Sequence, residues 1–406
     1  MRAVKKTPNL RFPAFKQDWC IDSLFACGID VIDGDRGKSY PNKSDFSDVG
    51  YCLFLSAKNV TKTGFRFIEN QFISEQKDSA LRKGKLERND IVLTTRGSIG
   101  HKALYDNNVS FNNVRINSGM VILRNQDVKL DHYYLYSLLF SQSLTKQIDV
   151  ISFGSAQPQL TVKEIKTLKV GYGSIEEQQK IADFLTSVNT KISQQTEKHR
   201  LLKEYKKGVM QQIFSQKIRF KDEDGKAFPE WVYEPIGKYL EPHKELVKAD
   251  TDIPILTSSR TGLYLQERSV INEGDYGIVP LGYFTYRHMS DDLIFKFNVN
   301  RTWEKGAVSK EYPVFKTVGM DTYFLEVQLN EGNDFKQFAI QQKQGGTRTR
   351  LYFKNLKELK LKLPCLKEQQ KISQFLQSID AKIEGVAEQI EQTKQFKKGL
   401  LQQMFV

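Results

Sequence analysis

The sequence predicts an α+β chain built twice over, in the order globular block, long helix, globular block, long helix. Three observations carry that expectation. Residues 177–214 (EQQKIADFLTSVNTKISQQTEKHRLLKEYKKGVMQQIF) return without a gap as residues 368–405 (EQQKISQFLQSIDAKIEGVAEQIEQTKQFKKGLLQQMF), 191 positions further on. Both copies carry a seven-residue hydrophobic period. The segments outside them carry short strand-like runs instead. A repeat of this length means that one unit is present twice, which fixes the organisation before any single element is read.

The helices follow from the period. In the first copy Ile181, Val188, Leu202 and Val209 lie on a seven-residue spacing, with Leu185, Ile192 and Ile213 four positions after members of that series. In the second, Ile372, Ile379, Val386 and Leu400 do the same, followed by Leu376, Ile383, Ile390 and Met404. This is the seam of a coiled coil. Gln195, His199 and Lys206 interrupt the first seam, Thr393 and Lys397 the second. At 1.5 Å per residue each helix is roughly 57 Å long. Alone it would leave its seam wet, and the nearest partner is the other copy.

The blocks come next. Residues 1–170 form the first block and 171–216 the first helix; residues 217–362 form the second block and 363–406 the second helix. Arg11-Phe12-Pro13 and Trp19 open the first block; Arg219-Phe220, Phe228-Pro229 and Trp231 open the second, with an insertion. The closing segments, residues 154–170 and 345–361, match again at the same offset through Leu160/Leu351, Ile165/Leu356 and Leu168/Leu359. Between them the blocks diverge. The first has strand-like runs at residues 51–55, 90–95 and 120–123 and a helix around 132–148. The second has strand candidates at 276–279, 293–297 and 323–327 and a helix near 334–343. Shared ends with different middles suit two modules that use one scaffold to bind different things.

Composition narrows the partner. Lys and Arg number 61 against 48 Asp and Glu, a net charge of +13, which favours a polyanion, nucleic acid before membrane. No apolar run reaches membrane-spanning length, and the N-terminus lacks the apolar core of a signal peptide. Cys20, Cys27, Cys52 and Cys365 show no metal or disulfide spacing and read as reduced, buried thiols of a cytoplasmic protein.

With EQQKI at 177–181 and 368–372, the KKG…QQ.F endings at 206–214 and 397–405, RFP at 11–13, and the Asp90-Ile91-Val92 run before Arg96-Gly97-Ser98-Ile99-Gly100, the chain resembles the specificity subunit of type I restriction–modification systems. The resemblance spans essentially the whole chain. It implies two target-recognition domains separated by two long antiparallel helices with a pseudo-two-fold repeat. Each domain would read one half of a bipartite target in double-stranded DNA. The helices would space the halves and dock modification (methyltransferase) and restriction (translocase/endonuclease) subunits. S-adenosylmethionine, ATP and Mg would then be bound in those partners, whose complex would be a DNA adenine methyltransferase and ATP-dependent endonuclease. The second block departs from the pattern, with Gly282-Tyr283-Phe284-Thr285-Tyr286 where the Arg-Gly-Ser-Ile-Gly loop would stand.

Catalytic motifs are missing. No Asn/Asp-Pro-Pro-aromatic run is present to hold a flipped base, and Gly171-Tyr172-Gly173 is too short for a dinucleotide turn. Gly37-Lys38-Ser39 looks like the end of a P-loop, but position 32 is Ile where that loop needs Gly. The Glu-x-Lys triplets at 164–166 and 358–360 lack a Pro-Asp partner and read as a charged face. The five histidines have no ligand spacing. The chain reads as non-catalytic, with no cofactor of its own.

Base edges are read by Arg, Lys, Asn and Gln, while phosphates take Lys, Arg, Ser and backbone N–H. The candidate contacts in the first block are Lys58, Asn59, Arg96, Ser98, Arg115, Gln157 and Gln159. In the second they are Ser259, Arg260, Tyr283, Tyr286, Arg287, Arg348 and Arg350. Arg348 and Arg350 stand at the repeat positions of Gln157 and Gln159. Two rival classes stay open at this stage: a self-sufficient DNA-modifying enzyme, and an architectural DNA-binding coiled-coil protein.

Overall fold

Each occurrence of Glu-Gln-Gln-Lys-Ile lies in the first turns of a long helix. The first helix is Ile175–Phe214 and the second Leu366–Gln403. The computed structural model describes residues 7–127, 129–152, 159–267, 274–343 and 348–406. The chain forms two units, residues 1–198 with 386–406, and residues 199–385. The cuts therefore fall inside the long helices, not at the block–helix junctions suggested by the sequence. The cause is burial: each stretch of helical seam shares a core with the block of its unit.

In the first unit Ile181, Leu185 and Val188 join Leu400, Met404 and Phe405 in one core with Trp19, Tyr134 and Leu138. The block is a four-stranded antiparallel sheet in the order Ile29–Asp33, Met120–Asn125, Ile91–Thr94, Lys102–Leu104. Alternate side chains face opposite cores. Ile91, Leu93, Val121 and Leu123 pack with the helices, whereas Val92, Met120 and Ile122 pack in a second cluster with Leu53 and Val114. A sheet covered on both faces needs continuous apolar runs, which is why these strands read as such. The short strand Cys52–Phe54 pairs parallel to Val114–Arg115. The helix expected over 132–148 is two, His132–Leu138 and Gln142–Ser152. At the break the Lys102 ammonium donates to the Leu139 carbonyl (2.6 Å).

In the second unit Met210 and Ile213 join Ile372, Leu376 and Ile379 in a core with Phe324, Phe335 and Phe297. Its larger sheet runs Leu240–His243, Val314–Thr317, Phe284–Tyr286, Phe297–Val299, and a second sheet runs Leu246–Lys248, Asp275–Pro280, Lys305–Ser309. Two expectations fail here. Residues 323–327 are not a strand but part of the helix Thr322–Glu331, whose cap is Asp321 accepting from Phe324 N (2.8 Å). The helix buries one face, Phe324, Leu325, Val327, Gln328 and Leu329, while Thr322, Glu326 and Asn330 stay partly open on the other. Of residues 293–297 only Phe297 is in a strand, because Leu293 sits at φ 64° and turns the chain.

The duplicated motif is a pair of clamps. Glu177 accepts from Arg11 (Nε 2.6 Å, Nη2 2.8 Å) and from Trp19 Nε1 (3.0 Å). Glu368 accepts from Arg219 Nη2 (3.0 Å) and Trp231 Nε1 (3.1 Å). The next residue repeats as well: Gln178 accepts from Asp131 N (2.9 Å) and Gln369 from Asp321 N (3.0 Å). Both aspartates cap the helix that follows them. The strands that open and close each block also pair, Cys20–Ser23 with Lys169–Tyr172 and Val232–Pro235 with Lys360–Leu363.

Four of the five seam interruptions find partners. Thr393 donates to Gln195 Oε1 (3.1 Å) in the first unit, and Lys206 pairs with Asp380 (2.8 Å) in the second. Lys397 lies over the Phe140 ring at 5.5 Å, and burial lowers its pKa. Of the four free thiols, Cys27 and Cys52 are buried, and burial pushes them up to about 11 and about 12. Cys20 is exposed and Cys365 half-buried, so the expectation of four buried thiols fails for those two.

Candidate nucleic-acid interface

In the first unit the exposed candidates gather at one end of the sheet. The strand Ile91–Thr94 runs into a loop that returns through Gly97 (φ 70°) and Gly100 (φ 81°), a left-handed backbone that glycine adopts without strain. Arg96 and Ser98 stand exposed on it. Leu160 N donates to Thr95 O (3.1 Å), which brings exposed Gln159 alongside, and Thr95 N donates to Gly119 O (2.8 Å). Gln157 lies outside the described residues. Lys58 is exposed and paired with Glu69.

Two candidates of this block are structural. Asn59 is 1% exposed. Its amide donates to the carbonyls of Arg66 (3.2 Å) and Glu69 (3.0 Å), and its oxygen accepts from Ser56 N (2.8 Å), so it locks a turn and cannot reach a base. Arg115 is also buried. It pairs with buried Asp78 and donates to the carbonyls of Lys83 (2.6 Å) and Leu81 (3.1 Å). Burial alone would push the Asp78 carboxyl up, but hydrogen bonds from Lys85 and Arg115 outweigh it and hold its pKa below the usual range.

In the second unit the arginine candidates converge on the short strand Met289–Ser290 and the turn after it, while Tyr283 lies apart with its ring 5.2 Å from that of His243. Arg260 pairs with Asp292 (Nη1–Oδ2 2.8 Å) and Arg348 with Asp291 (2.9 Å), while Arg350 is registered opposite Met289. Arg287 and Arg350 are exposed, and Ser259 and Tyr283 half-buried. Ser259, Arg260 and Arg287 line a cleft of about 1100 Å³ together with Tyr264, Lys296 and Lys310. Tyr286 is a correction. It is fully buried in the aromatic core, 4.6 Å from Phe297 between ring centroids, and its hydroxyl donates to Leu351 O (3.1 Å). In a strand with both faces covered, a tyrosine beside exposed polar residues faces inward all the same.

The fold also gathers cations that the sequence reading did not single out as contacts, Arg36 and Lys38 with Arg82 and Lys83 in the first unit and Lys296 with Lys310 in the second, because they come from segments far apart in the chain. Sequence reasoning also missed His288, which is buried beside Arg287, stacks on Tyr352 (6.1 Å between centroids) and has its pKa lowered by burial. Among the described residues no cluster of His, Cys, Asp and Glu could hold a metal ion, and no helix is long and apolar enough to cross a membrane.

Each unit is α+β, shares its core with stretches of the long helices, and exposes polar, mainly cationic residues on loops of its block. The chain belongs to the family of the type I restriction modification DNA specificity domain, whose model matches residues 29–203 and 313–395. It is 26% identical over 204 residues to the type I restriction enzyme MjaIX specificity subunit of Methanocaldococcus jannaschii, covering 45% of each chain. It is 25% identical over 186 residues to the HindI specificity subunit of Haemophilus influenzae, covering 45% of this chain and 39% of that one. The chain thus spans under half the length of these relatives. The fold is that of the S subunit of the type I restriction-modification system from M. genitalium, with a TM-score of 0.60, 15% identity, and 98% and 99% of the two chains covered.

Proposed function

We propose that this chain is the DNA-reading and assembly subunit of a type I restriction–modification complex and performs no catalysis itself. Each block reads one half of a bipartite target in double-stranded DNA. The two long helices, running antiparallel as a coiled coil, set the unread stretch between the halves and dock the modification and restriction subunits. S-adenosylmethionine, ATP and Mg are bound in those partners, and the complex works in the cytoplasm.

One observation carries the reading. The scaffold is duplicated down to single hydrogen bonds, Arg11 and Trp19 on Glu177 against Arg219 and Trp231 on Glu368, while the exposed loops differ in build. Arg96 and Ser98 sit on a glycine loop in one block, and Arg260 and Arg287 line a cleft in the other. Identical mounting with different tips is what reading two different half-sites requires. Incubating the purified chain with DNA and a labelled methyl donor, with and without modification subunits, tests it. Label transfer is expected only with the partner; transfer by the chain alone would favour a self-sufficient modifying enzyme.

A further inference from the structure

Gly37-Lys38-Ser39 has no role in the reading above, yet its surroundings are built. Asp35 is 6% exposed. Its Oδ1 accepts from Gly37 N (2.7 Å) and its Oδ2 from Arg82 N (2.7 Å). One buried carboxylate thus staples the loop 34–38 to the turn 82–84. The backbone donor of Gly37 is consumed by that staple, so the loop cannot cradle a nucleotide phosphate as a P-loop would. A Cβ on Gly37 would stand 3.0 Å from Arg82 Nη2, and one on Gly84 would stand 3.4 Å from Gly34 Cα. Glycine is what lets the two segments lie this close.

The staple gathers four exposed cations, Arg36, Lys38, Arg82 and Lys83, from two segments more than forty residues apart. Arg36 is paired with Asp33 (3.1 Å) and donates to Ser118 O (3.3 Å). Ser118 precedes Gly119, whose carbonyl takes the N–H of Thr95, next to Arg96. Lys38, Arg82 and Lys83 have no ion-pair partner among the described residues. Four cations against the carboxylates of Asp33 and Asp35 leave the patch positive. Its charges are exposed lysines and arginines on two loops fixed by backbone bonds, which suits a repeating phosphodiester.

We propose that Lys38, Arg82 and Lys83 clamp backbone phosphates of the duplex at the first block, with Asp35 as the residue that positions them. The proposal rests on the DNA-recognition reading. The clamp adds affinity without sequence information, leaving readout to neighbours such as Arg96.

The test uses the full chain and two fluorescent duplexes, one carrying the target found by methylome sequencing and one scrambled, titrated between 50 and 200 mM salt. Replacing Arg82 and Lys83 with Ala keeps the backbone N–H groups that Asp35 needs. The slope of log affinity against log salt should fall in magnitude by about two, equally on both duplexes. An unchanged slope in a variant with unchanged melting temperature overturns the clamp. So does an unchanged slope combined with lost association with the modification subunit, which would make the patch a protein contact. Asp35→Asn should reduce the slope too. A lower melting temperature with the wild-type slope would make Asp35 merely structural and overturn its positioning role. If wild-type chain does not distinguish the two duplexes, the recognition reading fails whatever the slopes do.

Discussion

Glu177 takes two hydrogen bonds from the guanidinium of Arg11, at 2.6 and 2.8 Å, with its side chain only 1% exposed. The same carboxylate takes the indole N–H of Trp19. Replacing Glu177 with Ala strands both donors, and breaking a buried pair costs about 3–5 kcal/mol. Urea denaturation should show a loss of that size. Exchanging the two residues, Arg11→Glu with Glu177→Arg, should not restore stability, because an arginine at 177 cannot accept from Trp19. Full recovery in the exchange would mean that only the ion pair matters.

Arg96 and Arg115 should separate cleanly. Arg115→Ala removes one of the two cations that hold buried Asp78 and strands the carbonyls of Lys83 and Leu81, which should cost about 1–3 kcal/mol of stability. Arg96 is exposed on its loop; Arg96→Ala should leave the melting temperature within about a degree of wild type, as surface changes do, and weaken DNA binding. Thermal melts and anisotropy titrations of the two variants check this, and the reverse pattern would contradict the assignment.

Lys102 gives a pH dependence. Its ammonium is buried against the Leu139 carbonyl and the Phe140 ring, and desolvation lowers its pKa to about 8. A lysine whose folded pKa lies below its unfolded value penalises folding while protonated, and the penalty fades as pH rises through that window. Between pH 8 and about 10 the unfolding free energy of wild type, measured relative to Lys102→Met, should therefore rise with pH. Parallel curves for the two proteins would contradict the burial.

Arg350 is exposed opposite Met289, and no carboxylate pairs with it among the described residues. If it reads a guanine, Arg350→Ala should weaken binding by about 1–3 kcal/mol, with the loss confined to targets intact in the second half. A uniform loss with a salt slope lowered by about one would make it a phosphate contact. Unchanged affinity at low salt removes it from the interface.

The repeat, the long helices and the α+β blocks were legible in the sequence because heptad period and strand-length apolar runs are local signals. The helix Thr322–Glu331 was not, because its aromatic and β-branched residues at 323–327 have the composition of a strand, and the polar face of Thr322, Glu326 and Asn330 shows only over a longer window. Compact units cutting through the helices could not be read either, since the packing of each seam depends on which block it meets. Among the candidate contacts, glycine punctuation located the exposed Arg96 loop. It could not separate Asn59, Arg115 and Tyr286, which face inward, from their exposed neighbours. The phosphate clamp was hidden for the same reason: Asp35 joins residues that only the fold makes adjacent.

The central claim is that the two blocks read the two halves of one target. Methylome sequencing of cells that hold the modification subunit, with and without this chain, tests it most directly. The chain should add one methylated motif made of two specified parts separated by an unread stretch of fixed length. A continuous motif, or methylation that does not depend on the chain, would contradict it.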